Sequence, residues 1–285
     1  MTDLHPGAKQ RYMLQQPLGQ GGMGIIYRAL DRLTGQTVAL KRVATPTVQY
    51  SSNTQTLSIS MLSTLSSGSL DRRFALAREF KILASLNHPY IIHVLDYGFD
   101  ECDQPYFTMD LLQNIATIHE VGCEAPIREQ VRLLIEVLEA LAYLHQCGII
   151  HRDLKPANVV VVDEHVKLLD FGLAIDSNYA RTEGISGTLS YIAPEIIRGE
   201  APTTASDLYA VGVMAYEIFT GHHPFVSNTQ ADLIQQILNA TPDIAAIPAS
   251  FRGLIMWLLA KRPADRPRDA LTVIMQLIRA LGEMV

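Results

Sequence analysis

The sequence predicts an α+β fold, with a β-rich N-terminal part followed by a mostly α-helical C-terminal part. Two observations predict it. The first 43 residues contain three short runs of apolar and β-branched residues separated by turn signals. From residue 128 onward, apolar residues recur at helical spacing. At 285 residues the chain is long enough for one large domain or for two lobes.

Composition narrows the class of protein. Apolar residues make up 48% of the chain and charged residues 18%, which argues against disorder of the whole chain. The net charge of −6 argues against a nucleic-acid partner bound through its phosphates. Three cysteines without a metal-binding spacing fit a reducing compartment. No apolar run is long enough to be a signal core or a membrane segment. We therefore expect a soluble, cytoplasmic protein.

The predicted elements of the first half are mainly strands. Residues 11–18, 24–31 and 36–43 are predicted strands, with turn signals at Gly21-Gly22 and Thr34-Gly35. Half of residues 45–70 are Ser or Thr and none is charged, which is typical of a mobile loop, although "TLSISML" could form a short strand. A helix is predicted over 71–86. Two further strands, 91–99 and 105–112, complete this half.

The predicted elements of the second half are mainly helices. Residues 128–148 carry apolar residues on one face, with Gly148 as the C-terminal stop, and residues 271–281 form an amphipathic closing helix. The change from strands to helices falls near residues 110–114. We therefore assign an N-terminal part over 1–110 and a C-terminal part over 111–285.

Three glycines in the first turn, Gly19, Gly21 and Gly24, have the spacing G-x-G-x-x-G. A dinucleotide-binding fold would require a helix after this loop, but the following "IIYRAL" is typical of a strand. A strand–loop–strand unit can cover a phosphate chain as a lid, because glycine lets the backbone turn sharply and approach closely. A glycine-rich hairpin without a ligand explains the loop alone about equally well.

Lysine 41 ends the apolar strand "VALK", 17 positions after the last of these glycines. A strand-end lysine that points into water is the simple interpretation. The functional alternative needs a carboxylate that holds the ammonium group where two phosphates can reach it, and Glu79 on the predicted helix is the candidate.

The segment "IIHRDLKPANVVVV" is a much more specific signal of catalytic chemistry than the glycines. Asp153 can accept a proton from a hydroxyl, Lys155 can offset charge on a transferring phosphoryl group, and Asn158 can offer an oxygen to a hard cation. Twelve residues after Asn158, "LLDFG" supplies Asp170 as a second oxygen ligand. Charges of this kind beside apolar strands usually have partners or a function.

Taken in order, "GQGGMG", "VALK", "HRDLKPAN", "DFG" and "APE" resemble the protein kinase family over nearly the whole chain, and the wording of "LGQGGMGIIYRALD" and "GTLSYIAPE" most resembles bacterial Hanks-type serine/threonine kinases. The resemblance implies a two-lobed fold, with a β-rich N-lobe that carries one main helix and a mostly α-helical C-lobe. It implies that the glycines form the lid over ATP and that Lys41 and Glu79 form its phosphate-binding pair.

The resemblance also implies roles for the remaining residues. Asp153 is the catalytic base, with Lys155 beside it, and Asn158 and Asp170 bind Mg²⁺, which Mn²⁺ can replace. Asp207 anchors the catalytic loop and Arg266 pairs with Glu195. The residues implied for the adenine pocket and hinge are Leu18, Ile26, Ala39, Met109, Asp110, Leu112 and Val160.

The function implied is transfer of the γ-phosphoryl group of ATP to Ser and Thr hydroxyls of proteins, since Lys155 after the base resembles serine/threonine kinases more than tyrosine kinases. Two alternatives stay open: an ATP-binding pseudokinase that serves as a regulatory module, and a small-molecule kinase of related fold. The activation segment, 170–195, is expected to be autophosphorylated, with Thr182 favoured over Ser186. Bacterial relatives often continue into further C-terminal domains, so this chain could be part of a larger protein.

Overall fold

The structure is a computed structural model that describes residues 11–21, 24–43, 83–100, 104–170 and 189–284. The chain divides into two compact units. The N-terminal unit comprises Met1–Asn87 and His93–Leu112, and the C-terminal unit comprises His88–Ile92 and Gln113–Val285. The N-terminal unit is built on a β-sheet and the C-terminal unit is mostly helical, so the predicted α+β, two-lobed fold is confirmed.

The N-terminal unit contains a five-stranded antiparallel sheet in the order β1-β2-β3-β5-β4. Its strands are β1 Tyr12–Gly21, β2 Gly24–Asp31, β3 Thr37–Val43, β4 Val94–Phe99 and β5 Pro105–Asp110. Side chains alternate between the two faces of a strand. One face carries a small core of Tyr12, Ala29, Val38 and Leu40, which leaves the other face for the residues of the candidate site.

The C-terminal unit contains a three-stranded antiparallel sheet and seven helices in the part that the structure describes. The sheet has the order β6-β7-β8, with strands β6 Ala116–Thr117, β7 Val159–Val162 and β8 His165–Leu168. The helices are α1 Ile118–Gly122, α2 Ile127–Gln146, α3 Pro194–Ile197, α4 Thr204–Thr220, α5 Gln230–Asn239, α6 Ala249–Leu258 and α7 Ala270–Gly282. Short 3-10 turns cover Pro156–Asn158, Leu189–Tyr191 and Pro263–Asp265.

Helix α2 is the predicted long helix, and Gly148 follows it with a φ of 75°. Its buried surface is wider than the predicted face, because Leu133, Val137 and Leu144 are also fully buried. The reason is that α2 packs against α4, α7 and β8 on several sides. The prediction of a single apolar face was therefore too narrow.

Helix α4 is buried from Ser206 to Ile218. Gly212 permits this packing, since a Cβ atom there would lie 2.7 Å from Cβ of Leu258 on α6. The chain leaves α4 through Gly221, whose φ of 77° is favourable for glycine.

Several predicted features lie outside the described residues. They are most of the helix over 71–86, with Glu79, the Ser/Thr-rich segment 45–70, and the activation segment from residue 171 to residue 188.

Candidate active site

The three glycines lie at the tip of the β1–β2 hairpin. Gly19 pairs with Ile26, and Gly21 pairs with Gly24. Gly24 has a φ of 130°, a conformation that side chains disfavour. A Cβ atom at Gly19 would meet nothing within 4 Å, so the surface beside that strand is open. The unit is strand–turn–strand, which excludes the dinucleotide-binding interpretation.

Lysine 41 lies on β3, opposite Ile26 on β2 and Phe107 on β5. Residues paired across strands share a face of the sheet, so Ile26 and Lys41 lie in one row with Gly19. The Lys41 side chain is not directed into water: the residue is only 3% exposed, and Nζ lies 6.0 Å from the centre of the Phe107 ring. The interpretation of a strand-end lysine in water is therefore wrong.

Two residues predicted for the adenine pocket lie on this same face. Ala39 pairs with Met109 across β3 and β5, and both are buried. Asp110, at the end of β5, is exposed, and its backbone N–H donates to the carbonyl of His93. Leu18 is exposed on β1 and Leu112 is half-buried after β5. The N-terminal unit thus brings the predicted lid, lysine and pocket wall onto one sheet face.

The catalytic loop of the C-terminal unit is held by Asp207 on α4. The buried Asp207 carboxylate accepts the backbone N–H groups of His151 at 2.9 Å and Arg152 at 3.0 Å. The side chain of His145 contacts the same carboxylate at 2.8 Å. Arg152 has a φ of 70°, a strained conformation for a side-chain residue. Asp207 stabilises this turn and thereby fixes the direction of the next residue, Asp153.

Asp153, Lys155 and Asn158 form a contact group directly after that turn. Nζ of Lys155 lies 2.8 Å from Oδ2 of Asp153. Nδ2 of Asn158 donates to the Asp153 backbone carbonyl at 2.7 Å and to its Oδ2 at 2.9 Å. The short 3-10 turn Pro156–Asn158 brings Asn158 back toward Asp153. A carboxylate, an ammonium group and an amide therefore converge within one loop.

The β7–β8 hairpin brings Asp170 close to this group. Val159 pairs with Leu168, and the N–H of Leu169 donates to the Asn158 carbonyl at 2.8 Å. Asp170, one residue further on, has a φ of 53°. Val160 on β7 is buried. The open end of the hairpin thus delivers both predicted oxygen ligands, Asn158 and Asp170, to one place.

The buried His151 connects the catalytic loop to the segment that carries Asp170. Burial lowers the pKa of His151, despite opposing contributions from nearby carboxylates, so the imidazole is neutral near pH 7. Nε2 lies 3.1 Å from the carbonyl oxygen of Leu169, which requires a hydrogen on Nε2. This hydrogen bond fixes the residue before Asp170.

The "APE" glutamate, Glu195, is paired with Arg266 through two hydrogen bonds of 2.8 and 2.7 Å. Their side chains are 1% and 0% exposed. The hydroxyl of Ser206 also donates to Glu195 at 2.7 Å. Burial alone would raise the pKa of Glu195, but the hydrogen bonds from Arg266 and Ser206 outweigh it and lower that pKa. The end of the activation segment is therefore fixed to the helical unit.

Sequence reasoning missed two of these supporting residues. Ser206 directly precedes Asp207, and nothing in its local sequence indicates its contact with Glu195. His145 belongs to the predicted helix 128–148, and nothing in that pattern indicates its contact with Asp207. Ser206 lies 11 residues from Glu195 and His145 lies 62 residues from Asp207, so a local pattern reveals neither contact.

In the residues that the structure describes, no group of three or more His, Cys, Asp and Glu side chains could hold a metal ion. None of the described helices is both long and apolar enough to cross a membrane.

The features described so far are those of a protein kinase domain. They are a glycine-containing hairpin on a five-stranded sheet, a buried lysine on a strand, and a loop with Asp, Lys and Asn that is held by a buried helix. Comparison with known families agrees, because residues 12–278 match the family described as Protein kinase domain. The chain belongs to the protein kinase family.

Bacterial serine/threonine-protein kinases are among the relatives of the chain. It is 32% identical to the probable serine/threonine-protein kinase pknA2 of Bifidobacterium longum, over 96% of this chain and 35% of that protein. It is 33% identical to PknL of Mycobacterium tuberculosis, and the match covers 92% of this chain and 64% of that protein. It is 34% identical to the DNA damage-responsive serine/threonine-protein kinase RqkA of Deinococcus radiodurans, and the match covers 91% of this chain and 38% of that protein.

These matches confirm the predicted resemblance to bacterial kinases of the serine/threonine class. The chain spans between about one third and two thirds of the length of these relatives. Members of the family use ATP and divalent metal ions in general.

Proposed function

We propose that this chain transfers the γ-phosphoryl group of Mg-ATP to Ser and Thr hydroxyls of proteins, including its own activation segment, in the cytoplasm. The observation that carries the proposal is the contact group of Asp153, Lys155 and Asn158 after a turn held by Asp207. This arrangement gives one carboxylate a fixed direction, which positioned proton transfer requires.

In the proposed reaction, Asp153 accepts the proton of the substrate hydroxyl. The hydroxyl oxygen forms a bond to the γ-phosphorus, and the bond between that phosphorus and the ADP oxygen breaks. Lys155, 2.8 Å from the Asp153 carboxylate, supplies positive charge beside the transferring group. Asn158 donates from Nδ2 to Oδ2 of the same carboxylate at 2.9 Å.

The nucleotide is proposed to bind through the N-terminal unit. The open glycine hairpin lets backbone N–H groups approach phosphates, and the buried Lys41 offers an ammonium group on the same sheet face. Ile26, Ala39 and Met109 on that face supply apolar contacts for adenine, as do Leu18 and Leu112 of the same unit. The proposed partner of Lys41, Glu79, lies outside the described residues.

The residues present fit a hard divalent cation. Nδ2 of Asn158 donates to Asp153, so the amide oxygen points away from Asp153 and is the atom offered to a metal. Asp170 supplies a carboxylate at the same end of the hairpin. Oxygen ligands of this kind suit Mg²⁺ and also Mn²⁺. When bound, the ion neutralises phosphate charge during transfer.

Incubation of the purified chain with labelled ATP, Mg²⁺ and dephosphorylated casein tests the proposal. We expect label on Ser and Thr of casein and on the chain itself between residues 170 and 195, first at Thr182. A matched reaction with EDTA should show no transfer. Tight ATP binding without transfer to any polypeptide would contradict the proposal and favour a regulatory binding module. Transfer only to tyrosine would also contradict it.

A further inference from the structure

The turn after α4 contains two adjacent histidines, and the second of them contacts the end of the activation segment. Nε2 of His223 lies 3.1 Å from the carbonyl oxygen of Ser190. The imidazole also meets the ring of Tyr191 edge to face, with the ring centres 5.6 Å apart and the planes at 90°. One side chain therefore touches two consecutive residues of the segment that leads to Glu195.

The orientation of His223 is set by its own backbone neighbourhood. The N–H of Phe225 lies 3.1 Å from Nδ1 of His223, and Phe225 itself is buried. Nδ1 also lies 2.8 Å from the Phe225 carbonyl oxygen, so both polar groups of the Phe225 backbone hold the imidazole, while Nε2 faces the Ser190 carbonyl. Gly221, with a φ of 77°, ends α4, and His223 follows two residues later.

The same turn, Leu189–Tyr191, is held from α4 as well. The hydroxyl of Tyr191 donates to Glu217 at 2.7 Å, and Glu217 is buried. Burial, followed by the contact with Glu217, strongly raises the pKa of Tyr191, so its hydroxyl keeps its proton and remains a donor. Glu217 thus fixes the tip of the Tyr191 side chain, while His223 fixes its ring face and the preceding carbonyl.

We propose that His223 is a positioning residue for the polypeptide substrate, which it serves by fixing the Ser190 carbonyl and the Tyr191 ring. The inference rests on the proposed function and adds to it that Leu189–Tyr191, at the end of the activation segment, is part of the surface that receives the protein substrate. The contacts described for His223 are with Ser190, Tyr191 and Phe225, and none of these residues belongs to the proposed nucleotide site. Its effect is therefore on the protein substrate rather than on ATP.

Steady-state kinetics of His223→Phe with dephosphorylated casein and ATP test this role. Phenylalanine keeps a ring against Tyr191 but cannot donate to Ser190. We expect the KM for casein to rise about three- to tenfold, the range that corresponds to one lost hydrogen bond. The KM for ATP and the rate of ATP hydrolysis by water should stay within about twofold of the unaltered chain, since the nucleotide site is untouched.

Two variants are matched to this test. His223→Gln retains an amide donor for Ser190, and its KM for casein should lie closer to that of the unaltered chain than to that of His223→Phe. His222→Phe changes the neighbouring, exposed histidine, and its KM for casein should stay unchanged.

Two results would overturn the role of His223. The first is a KM for casein in His223→Phe that lies within about twofold of the value for the unaltered chain, because the loss of one hydrogen bond should change the KM by more than that. The other is a parallel rise in both KM values together with a fall in melting temperature, which would indicate general loss of structure. Failure of the unaltered chain to phosphorylate any polypeptide would instead overturn the proposed function itself.

Discussion

Glu195→Gln should lower the stability of the C-terminal unit by about 3–5 kcal/mol, the cost of leaving one partner of a buried ion pair uncompensated. Both side chains are almost fully buried, and each Glu195 oxygen accepts from a different Arg266 nitrogen. Glutamine keeps one acceptor but turns an NH₂ group toward the guanidinium. Among the described residues, the remaining partners of Arg266 are then neutral, namely the carbonyls of Ala260 and Ala205 and the ring of Tyr209.

The loss is large compared with the total stability of a domain, which is about 5–15 kcal/mol. Urea denaturation followed by fluorescence measures it directly, and the melting temperature should fall by at least about 6 °C. Glu283→Gln is the matched control, because Glu283 pairs with Arg279 on the surface at 3.0 Å. This exposed ion pair should contribute less than about 1 kcal/mol to the free energy of unfolding. A loss below about 1 kcal/mol in Glu195→Gln would refute the reasoning.

The pH dependence of this stability has a definite sign. The folded state lowers the pKa of Glu195, so the stabilisation is fully present above the pKa of an unfolded glutamate, about 4.3. It is lost as the pH falls through the lower pKa of the folded state. The stability difference between the unaltered chain and Glu195→Gln should therefore be constant near neutral pH and shrink in acid.

Three further predictions follow from the structure. Gly212→Ala should destabilise the chain by about 1–3 kcal/mol in urea denaturation, because the new Cβ atom would lie 2.7 Å from Cβ of Leu258. A variant more stable than the unaltered chain would contradict the close packing of α4 on α6. Tyr209→Phe should leave stability unchanged or raise it by up to about 1–3 kcal/mol, because the buried hydroxyl has no hydrogen-bond partner among the described residues; a loss above about 1 kcal/mol would contradict this. Asp170→Ala should weaken ATP binding in the presence of Mg²⁺, and an unchanged Mg²⁺ dependence in nucleotide titrations would count against its role as a metal ligand.

The sequence predicted the elements that depend on local pattern. The strands around the glycines, the long helix that became α2 and the closing helix α7 all follow from apolar periodicity and turn residues. The short helix α1 was not predicted. Its signal was present, since Thr117 and Glu120 form a capping box of the spacing T-x-x-E.

The sequence also identified the residues of the catalytic loop but not the contacts that hold them. Asp153, Lys155 and Asn158 lie within six positions, so a local motif names them. The left-handed turn at Arg152 is stabilised by Asp207, 55 residues away. Contacts of this range depend on how α4 packs in the helical unit, and periodicity within one segment carries no information about them.

The adjacent histidines show the same limit in another way. In the sequence, the pair His222-His223 has no other potential metal ligand nearby, and nothing in the pattern distinguishes the two side chains. The structure separates them: His222 is exposed, whereas His223 contacts Ser190 and Tyr191. The contact of His223 with Ser190 joins residues 33 positions apart, so the local sequence does not reveal it.

Asp153→Asn tests the central claim most directly, in paired measurements of phosphoryl transfer and ATP affinity. Asparagine preserves the size of the side chain and can still accept a hydrogen bond from Lys155, but it cannot take up the substrate proton. We expect transfer to casein to fall by at least about 100-fold while the Kd for Mg-ATP changes less than about twofold. Transfer near the unaltered rate would contradict the assignment of Asp153 as the base, and with it the proposed mechanism.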